Sequence, residues 1–144
     1  MHGDDVIREI FTTFDHITVI GCSKDPNKSA HAIPARMQQH GYRITPINPT
    51  ADQLLGERVF RSLRDAPRPV DVVQLFRPSA EAAEHARAAA EVGAAALWLQ
   101  SGIYSPEARR IAEDAGMLYV EDHCMAVDYI RLGITEEDRL RRSA

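Results

Sequence analysis

Cysteine, lysine and long apolar segments are all scarce in this sequence of 144 residues. Two cysteines, Cys22 and Cys124, are too few for a disulfide framework, which favours a cytoplasmic protein with reduced thiols. The longest apolar run, Val92–Leu99, is much shorter than the roughly 18 residues of a membrane-spanning helix. The N-terminus lacks a basic region followed by an apolar one, so we expect no secretory signal.

Positive charge is also limited, because 17 Lys and Arg residues face 21 Asp and Glu residues and the net charge is −4. This balance argues against general binding to nucleic acid or to a membrane surface, since both require a basic face. The six histidines show no metal-ligand spacing, so no metal site is expected. Lysine occurs only as Lys24 and Lys28, in one polar loop. Chance can place two residues together, but an acidic protein that binds a polyanion needs local positive charge.

Buried strands and helices alternate about five times along the chain. β-branched and apolar runs predict strands over 16–20, 42–48, 70–76, 94–99 and 117–120, and helical spacing predicts helices over 4–13, 29–40, 79–92, 105–116 and 122–132. Helical connections between buried strands imply right-handed crossovers and a parallel sheet. We therefore predict an α/β fold, a Rossmann-like three-layer sandwich with a five-stranded mostly parallel sheet.

Helix starts are marked by serines at 29, 79 and 105, each a candidate N-cap. Pro34 is awkward inside the second helix, so either that helix begins near Ile33 or its first turn is distorted. Residues 51–58 are predicted to form a short helix or a turn, and the irregular stretch 61–69 could reshape a ligand cleft. The chain is expected to be one domain, residues 1–144, with a core of about 14–132. Residues 133–144 then form a short charged tail, which opens on a sequence resembling a capping box, Thr135–Asp138.

The loop after the first strand is the candidate ligand site, since ligands bind at the carboxyl ends of strands in an open α/β sheet. Its sequence departs from the dinucleotide fingerprint, because Gly21 is followed by Cys22-Ser23-Lys24 and the expected second glycine is absent. Asn48-Pro49 stands where an acid would hold the ribose hydroxyls. No Gly-Lys-Ser or Gly-Lys-Thr phosphate loop occurs.

Five short motifs in order resemble the small stand-alone CoA-binding proteins, which are similar to the CoA-binding domain of the succinyl-CoA synthetase α-subunit. The motifs are Gly21-x-Ser23, Gly41-Tyr42 with Pro46-Ile47-Asn48-Pro49, Phe76-Arg77-Pro78, Trp98-Leu99-Gln100-x-Gly102 and Asp122-x-Cys124. Each motif alone is weak, but the set spans nearly the whole chain, from about Phe14 to Tyr129. The resemblance implies a Rossmann-like domain that holds the nucleotide part of coenzyme A, and it implies no known reaction.

The resemblance implies roles in CoA binding for residues of three strand ends. The implied cofactor-binding residues are Gly21, Cys22, Ser23, Lys24, Lys28, Ser29, Asn48, Pro49, Phe76, Arg77, Pro78 and Gln100. In the loop, Gly21 lets the backbone turn under the pyrophosphate, and Ser23 donates its hydroxyl or its backbone N–H to a phosphate oxygen. Lys28 is preferred over Lys24 for a phosphate because it lies just before the helix.

Beyond that loop, Asn48 is expected to contact the ribose or its 3′-phosphate, while Pro49 shapes the adenine wall. Phe76, Arg77 and Pro78 are expected to flank the ligand. An alternative without a ligand stays open for several of these residues. Asn48-Pro49 can simply form a turn, Arg77 can be a solvated surface charge, and Gln100 can make a hydrogen bond within a turn. Cys22 is a reactive thiol or, as we prefer, an inert small residue of the loop.

The preferred function is binding of coenzyme A or an acyl-CoA through the loop after the first strand, without catalysis of its own. A nicotinamide-nucleotide-binding or acyl-CoA-processing enzyme is one alternative, although no nucleophile–base pair supports it. A CoA-responsive regulatory module is another. The expected partner is a small-molecule nucleotide, and a homo-oligomer or protein partner is left open.

Overall fold

A five-stranded parallel sheet forms the centre of the molecule. The computed structural model describes residues 3–143, with the side chains of 140–143 left out. The sheet consists of β1 (His16–Ile20), β2 (Arg43–Ile47), β5 (Val72–Leu75), β6 (Ala96–Leu99) and β7 (Leu118–Val120), and a small antiparallel hairpin consists of β3 (Gln53–Leu54) and β4 (Glu57–Arg58). The strand order is β2-β1-β5-β6-β7, and all four neighbouring pairs are parallel. The predicted five-stranded α/β sheet is therefore confirmed.

Helices cover both faces of this sheet and make three layers. They are α1 (Gly3–Thr13), α2 (Ser29–Gln39), α3 (Ala82–Glu91), α4 (Pro106–Asp114), α5 (Met125–Arg131) and α6 (Glu136–Ser143). One face carries the larger side chains of α1, α2 and α5, packed on Trp98 and Val19. The other face carries α3 and α4, whose small residues, such as Ala86 and Ala112, let both helices lie close to the strands. Burial on both faces explains why the central strands read as continuous apolar runs.

The chain reverses its direction of winding beside β1. The connection through α2 leads to β2 on one side of β1, whereas the later chain enters β5 on the other side. The helices that follow the two neighbours β1 and β5 lie on opposite faces, because α2 packs in one core cluster and α3 in the other. A crevice therefore opens between the carboxyl ends of β1 and β5, the position where open α/β sheets bind ligands.

One open alternative is decided, and two predicted N-caps need correction. Residues 51–58 contain the β3–β4 hairpin, which agrees with the predicted turn and not with a short helix, since Leu55 and Gly56 both have positive φ (57° and 76°), which makes a tight turn. Ser79 is not a helix N-cap: it begins a 3₁₀ turn, and its hydroxyl accepts a hydrogen bond from the Tyr104 N–H. The N-cap of α2 is Lys28, with extended backbone, and Ser29 is the first helical residue.

Other helix ends agree with the sequence. Ser105 caps α4 by accepting a hydrogen bond from the Ala108 N–H. Thr135 and Asp138 exchange two hydrogen bonds and form the predicted capping box. The predicted charged tail is helical here, because α6 begins at Glu136 within this box. Within α6, Arg139 donates to the carbonyl oxygen of His40 at 2.7 Å and so attaches this helix to the end of α2.

None of the helices within residues 3–143 has both the length and the apolar character that crossing a membrane requires.

Candidate nucleotide-binding cleft

A cleft of about 760 Å³ lies at the carboxyl ends of β1, β2 and β5. Eight residues of the predicted site line it: Gly21, Cys22, Ser23, Lys28, Asn48, Pro49, Phe76 and Arg77. The other four predicted residues, Lys24, Ser29, Pro78 and Gln100, lie outside its lining. The switch in strand order thus brings together residues that are more than 50 positions apart in the sequence.

Gly21 allows the loop after β1 to pass directly under the loop after β5. Its φ is +84°, in the region that favours glycine, and a Cβ built there would lie 2.9 Å from the Phe76 carbonyl oxygen and 3.1 Å from Cδ of Arg77. The chain therefore needs glycine here for two reasons, backbone conformation and close approach. The consequence is that Phe76 and Arg77 sit against the base of the loop that is the phosphate-site candidate.

Pro34 explains how this loop is fastened to α2. A residue at position 34 of a helix normally donates its N–H to the carbonyl oxygen of residue 30, and proline has no N–H. The Ala30 carbonyl oxygen instead accepts a hydrogen bond from the Ser23 N–H at 3.0 Å. Nδ1 of His31 adds a 2.7 Å hydrogen bond with the Ser23 carbonyl oxygen. Pro34 is accommodated inside a helix that begins at Ser29, so the helix does not start at Ile33.

These bonds decide which groups of Ser23 remain for a ligand. Its backbone N–H is used by Ala30, so of the two predicted donors only the hydroxyl is available. The Ser23 hydroxyl oxygen accepts from the Asp25 N–H at 3.0 Å, which leaves its own proton free to donate. Asp25 also accepts from the backbone of Asn27 and Lys28, so the loop holds its shape through its own hydrogen bonds.

Lys28 and the first turn of α2 supply positive character beside the loop after β1. Lys28 lines the cleft, whereas Lys24, although exposed in the same loop, does not. The Lys28 side chain makes no capping hydrogen bond, and the backbone N–H groups of Ser29 and Ala30 have no partner among the described residues. Unpaired N–H groups at a helix N-terminus favour an anion.

Asn48 links the ends of β1 and β2. Its Nδ2 donates to the Cys22 carbonyl oxygen at 2.8 Å, and its Oδ1 accepts from the N–H groups of Thr50 and Ala51, both at 2.8 Å. The Asn48 amide oxygen is therefore already occupied by two backbone N–H groups. Asn48 also lines the cleft. It therefore stabilises the turn after β2, as one alternative predicted, and lies beside the cleft as well.

Arg77 faces the cleft while paired with a carboxylate of the next turn. Its Nε and Nη2 donate to the two carboxylate oxygens of Glu81 at 3.1 and 2.8 Å, and this pairing raises the pKa of Arg77 and lowers that of Glu81. Nε2 of His85, which also lines the cleft, lies 3.6 Å from the same carboxylate and has no hydrogen-bond partner among the described residues. Both partners of the Arg77–Glu81 pair are partly exposed, so the pair is a weak one that an anionic ligand can break.

The opposite wall of the cleft consists of residues that were not predicted as site residues. The segment after β4 contributes Arg61 and Arg64, and α3 contributes Ala88 and Glu91. Nη2 of Arg64 donates to both carboxylate oxygens of Glu91, at 2.9 and 3.0 Å, and this ion pair joins the two parts of the wall. The only signal in the sequence was the irregular stretch 61–69 itself, which was expected to reshape the cleft. This stretch contains three arginines, and their concentration in one irregular segment is the detail that could have identified Arg61 and Arg64.

Gln100 is buried and does not line the cleft. It is 4% exposed, and its Oε1 accepts from the backbone N–H of Met125 at 2.9 Å and from Nε2 of Gln74 at 3.3 Å. These bonds hold the start of α5 against the sheet. Gln100 lies at the carboxyl end of β6, as predicted, but that strand end is separated from the cleft by β5.

The cysteines have different environments. Cys22 is 1% exposed, and burial raises the pKa of its thiol to about 11, so the thiol stays protonated and unreactive at neutral pH. Cys124 is partly buried and unpaired. No group of three or more His, Cys, Asp or Glu side chains within the described residues is arranged to hold a metal ion.

Fold and cleft together define a Rossmann-like domain whose crevice carries lysine, arginine and helix N–H groups where a phosphate-bearing ligand would lie. Comparison of the sequence with known families gives a match to the CoA binding domain over residues 15–130. The match covers most of the chain, and the chain therefore belongs to this family, as the sequence motifs predicted.

Similar proteins fall into two groups. The uncharacterized protein YneT of Bacillus subtilis (strain 168) is 34% identical over 121 residues, which cover 84% of this chain and 90% of YneT. The solved structure of cell-free ID.343 from Thermus thermophilus is 35% identical with a TM-score of 0.85, and the match covers 92% of this chain and 99% of that one. The ADP-forming acetate–CoA ligase II of Archaeoglobus fulgidus is 29% identical over 99 residues, which cover 67% of this chain and only 15% of the ligase. This chain thus resembles whole small proteins and one region of a much larger enzyme.

Proposed function

We propose that this protein binds coenzyme A or an acyl-CoA in the cleft at the carboxyl ends of β1, β2 and β5. The observation that carries the proposal is the convergence of Gly21, Lys28 and Arg77 at the switch in strand order. Gly21 lets the loop after β1 lie against the loop after β5, and the two cations line the same cleft. This combination suits the pyrophosphate of a nucleotide cofactor.

Membership in the CoA binding domain family supports the choice of ligand. The similarity to an acetate–CoA ligase agrees with it, since that enzyme is named for CoA. Because the shared region is a small part of the ligase, the similarity supports ligand binding and does not extend to the ligase reaction. The proposed function is accordingly binding, without chemistry performed by this chain.

The proposed contacts divide the ligand between three strand ends. The pyrophosphate lies over Gly21 and receives the Ser23 hydroxyl, the Lys28 ammonium and the free N–H groups at the start of α2. The Arg77 guanidinium leaves Glu81 and pairs with a phosphate oxygen. Pro49 and Phe76 also line the cleft and provide apolar surface for the rest of the ligand.

A protonated, buried Cys22 fits a binding function, because it offers no thiolate to attack a thioester. Two unpaired cysteines also fit the proposed cytoplasmic location, where thiols stay reduced. The nearest chemical alternative is a nicotinamide dinucleotide. This protein lacks the acid after β2 that usually holds the ribose of such a ligand, so the dinucleotide is the main competitor to include in a binding test.

Isothermal titration calorimetry with CoA, acetyl-CoA and NAD⁺ tests the proposal directly. We expect binding of CoA or acetyl-CoA and no comparable binding of NAD⁺. Mass spectrometry of any small molecule that copurifies with the protein gives an independent identification. A folded protein that binds neither CoA nor acetyl-CoA at millimolar concentration contradicts the proposal.

A further inference from the structure

The end of β2 is the part of the cleft where the ribose of a bound nucleotide would lie. In nucleotide-binding α/β sheets the phosphates sit at the first loop and the ribose reaches the end of the neighbouring strand, where an acid grips its free hydroxyls. Here that position holds Asn48 and Pro49. The oxygen of the Asn48 amide is occupied by two backbone N–H groups, so it does not replace the missing carboxylate.

An arginine from later in the chain occupies this place instead. Residues 59–61 run alongside the end of β2: Phe60 pairs with Ile47, and the Asn48 N–H donates to the Phe60 carbonyl oxygen at 3.1 Å. This pairing puts Arg61 next to Asn48. Nη1 of Arg61 donates to the carbonyl oxygens of Asn48 and Ala51, so the guanidinium is fixed at the turn after β2.

The charge of Arg61 is only weakly compensated. Its partner is Asp52, at 3.0 Å, and the Asp52 side chain is 95% exposed, so solvent screens this pair strongly. Arg61 lines the cleft and is about half exposed. Arg64 adds a second positive charge to the same wall, paired with Glu91. The end of β2 therefore presents a guanidinium where a site for an unmodified ribose would present an acid.

We propose that Arg61 recognises a phosphate on the ribose, so that the cleft selects 3′-phosphorylated nucleotides over those with free ribose hydroxyls. A guanidinium beside the ribose is the general solution for a ribose phosphate in such sheets, as an acid is for the diol. The inference rests on the proposed function, since it assigns the 3′-phosphate of CoA to Arg61 in place of Asn48. It names Arg61 as a specificity-determining residue of this cleft.

Calorimetry with CoA and dephospho-CoA tests this assignment, because the two ligands differ only in the 3′-phosphate. For the unaltered protein we expect CoA to bind about tenfold or more tightly than dephospho-CoA, the factor typical of a hydrogen-bonded charge pair. In Arg61→Gln we expect CoA affinity to fall to the level of dephospho-CoA, with dephospho-CoA affinity unchanged. Arg61→Lys, which keeps the charge but loses the fork of donors, should retain part of the preference.

Arg43→Gln is the matched control. Arg43 is also an exposed arginine paired with an aspartate, Asp15, but it lies at the opposite end of β2. The control should keep the full preference for CoA. Loss of both ligands in Arg61→Gln would mean that Arg61 acts by holding the turn, and this outcome overturns the inference.

Two further outcomes separate the inference from the proposed function. Equal affinity of the unaltered protein for CoA and dephospho-CoA overturns the role of Arg61 and leaves CoA binding intact, as does a preference that survives in Arg61→Gln. Failure of the unaltered protein to bind either ligand overturns the proposed function, and the inference with it.

Discussion

The backbone N–H of Ser23 donates a hydrogen bond to the Ala30 carbonyl oxygen, at 3.0 Å. This carbonyl is available because the helical position that would normally use it is Pro34. A residue that disturbs a helix locally thus creates the acceptor that fastens the candidate phosphate loop to α2. The relationship makes the shape of the loop depend on a side chain outside it.

Replacing Pro34 with Ala supplies a competing N–H for the Ala30 carbonyl oxygen. We expect Pro34→Ala to stay folded, since alanine is favoured in a helix interior, while the Ser23 N–H becomes less protected. CoA affinity should fall by about threefold to tenfold, equivalent to one neutral hydrogen bond. Amide hydrogen exchange measured by NMR reports the loop, and calorimetry reports the affinity.

The Cys22 N–H, which donates to the Ile47 carbonyl oxygen, is the internal reference in the same exchange experiment. Its protection should not change in Pro34→Ala. Unaltered exchange at Ser23 together with unaltered CoA affinity would show that the missing N–H of Pro34 does not govern the loop.

Gly21→Ala should destabilise the protein more than an equivalent change at a turn with open space. Gly21 combines positive φ with a 2.9 Å approach to the Phe76 carbonyl oxygen, whereas Gly56 has a similar φ of +76° and nothing within 4 Å. Gly56→Ala should lower the free energy of unfolding by about 1 kcal/mol from backbone strain alone. Gly21→Ala should lower it by about 2 kcal/mol or more, because the backbone must also move. Urea unfolding of both variants measures the difference, and equal losses would exclude the close contact as its cause.

The fold could be predicted from the sequence because the signals that define it are local and repeated. Five buried strands and the helices between them follow from β-branched runs, helical spacing and turn glycines. Gly41 is one example: it follows α2 with φ +102° and ends that helix as predicted. Family motifs then located the loop after β1, and the structure brings most of the predicted residues to one cleft.

The parts that could not be predicted depend on contacts between distant segments. Arg61 reaches Asn48 only because Phe60 pairs with Ile47, which no local pattern shows. The Ser23 N–H is unavailable to a ligand because it bonds to the Ala30 carbonyl oxygen, and this bond depends on where Pro34 lies relative to the loop. Gln100 lies at the correct sheet edge but on the wrong strand for the cleft, since β5 stands between β6 and β1.

Lys28→Ala and Lys24→Ala form a matched pair, because they are the only lysines and lie four residues apart in one loop. Lys28 lines the cleft and Lys24 does not. We expect Lys28→Ala to weaken CoA binding by about tenfold, as for loss of a charge-assisted contact with phosphate, and Lys24→Ala to change it by less than about twofold. Calorimetry at low and high salt checks both, and the larger effect appearing in Lys24→Ala would reverse the assignment.

Glu81→Gln should strengthen CoA binding, because Glu81 occupies the Arg77 guanidinium in a bidentate pair that a phosphate must displace. The two side chains are 38% and 48% exposed, so the pair is weak and the expected gain is about twofold to fivefold. Calorimetry with CoA, near neutral pH and at constant ionic strength, measures it. The lowered pKa of Glu81 keeps this carboxylate ionised at that pH, so the competing charge is fully present in the unaltered protein.

Glu84→Gln provides the control for this last change, since it removes the same charge three residues further along the chain, at a position of α3 that lines the cleft. Its effect on CoA binding measures the general electrostatic gain. Glu81→Gln must exceed it if direct competition for Arg77 is the cause. Weaker binding by Glu81→Gln than by the unaltered protein would give Glu81 the opposite role, holding Arg77 in the orientation that the phosphate requires.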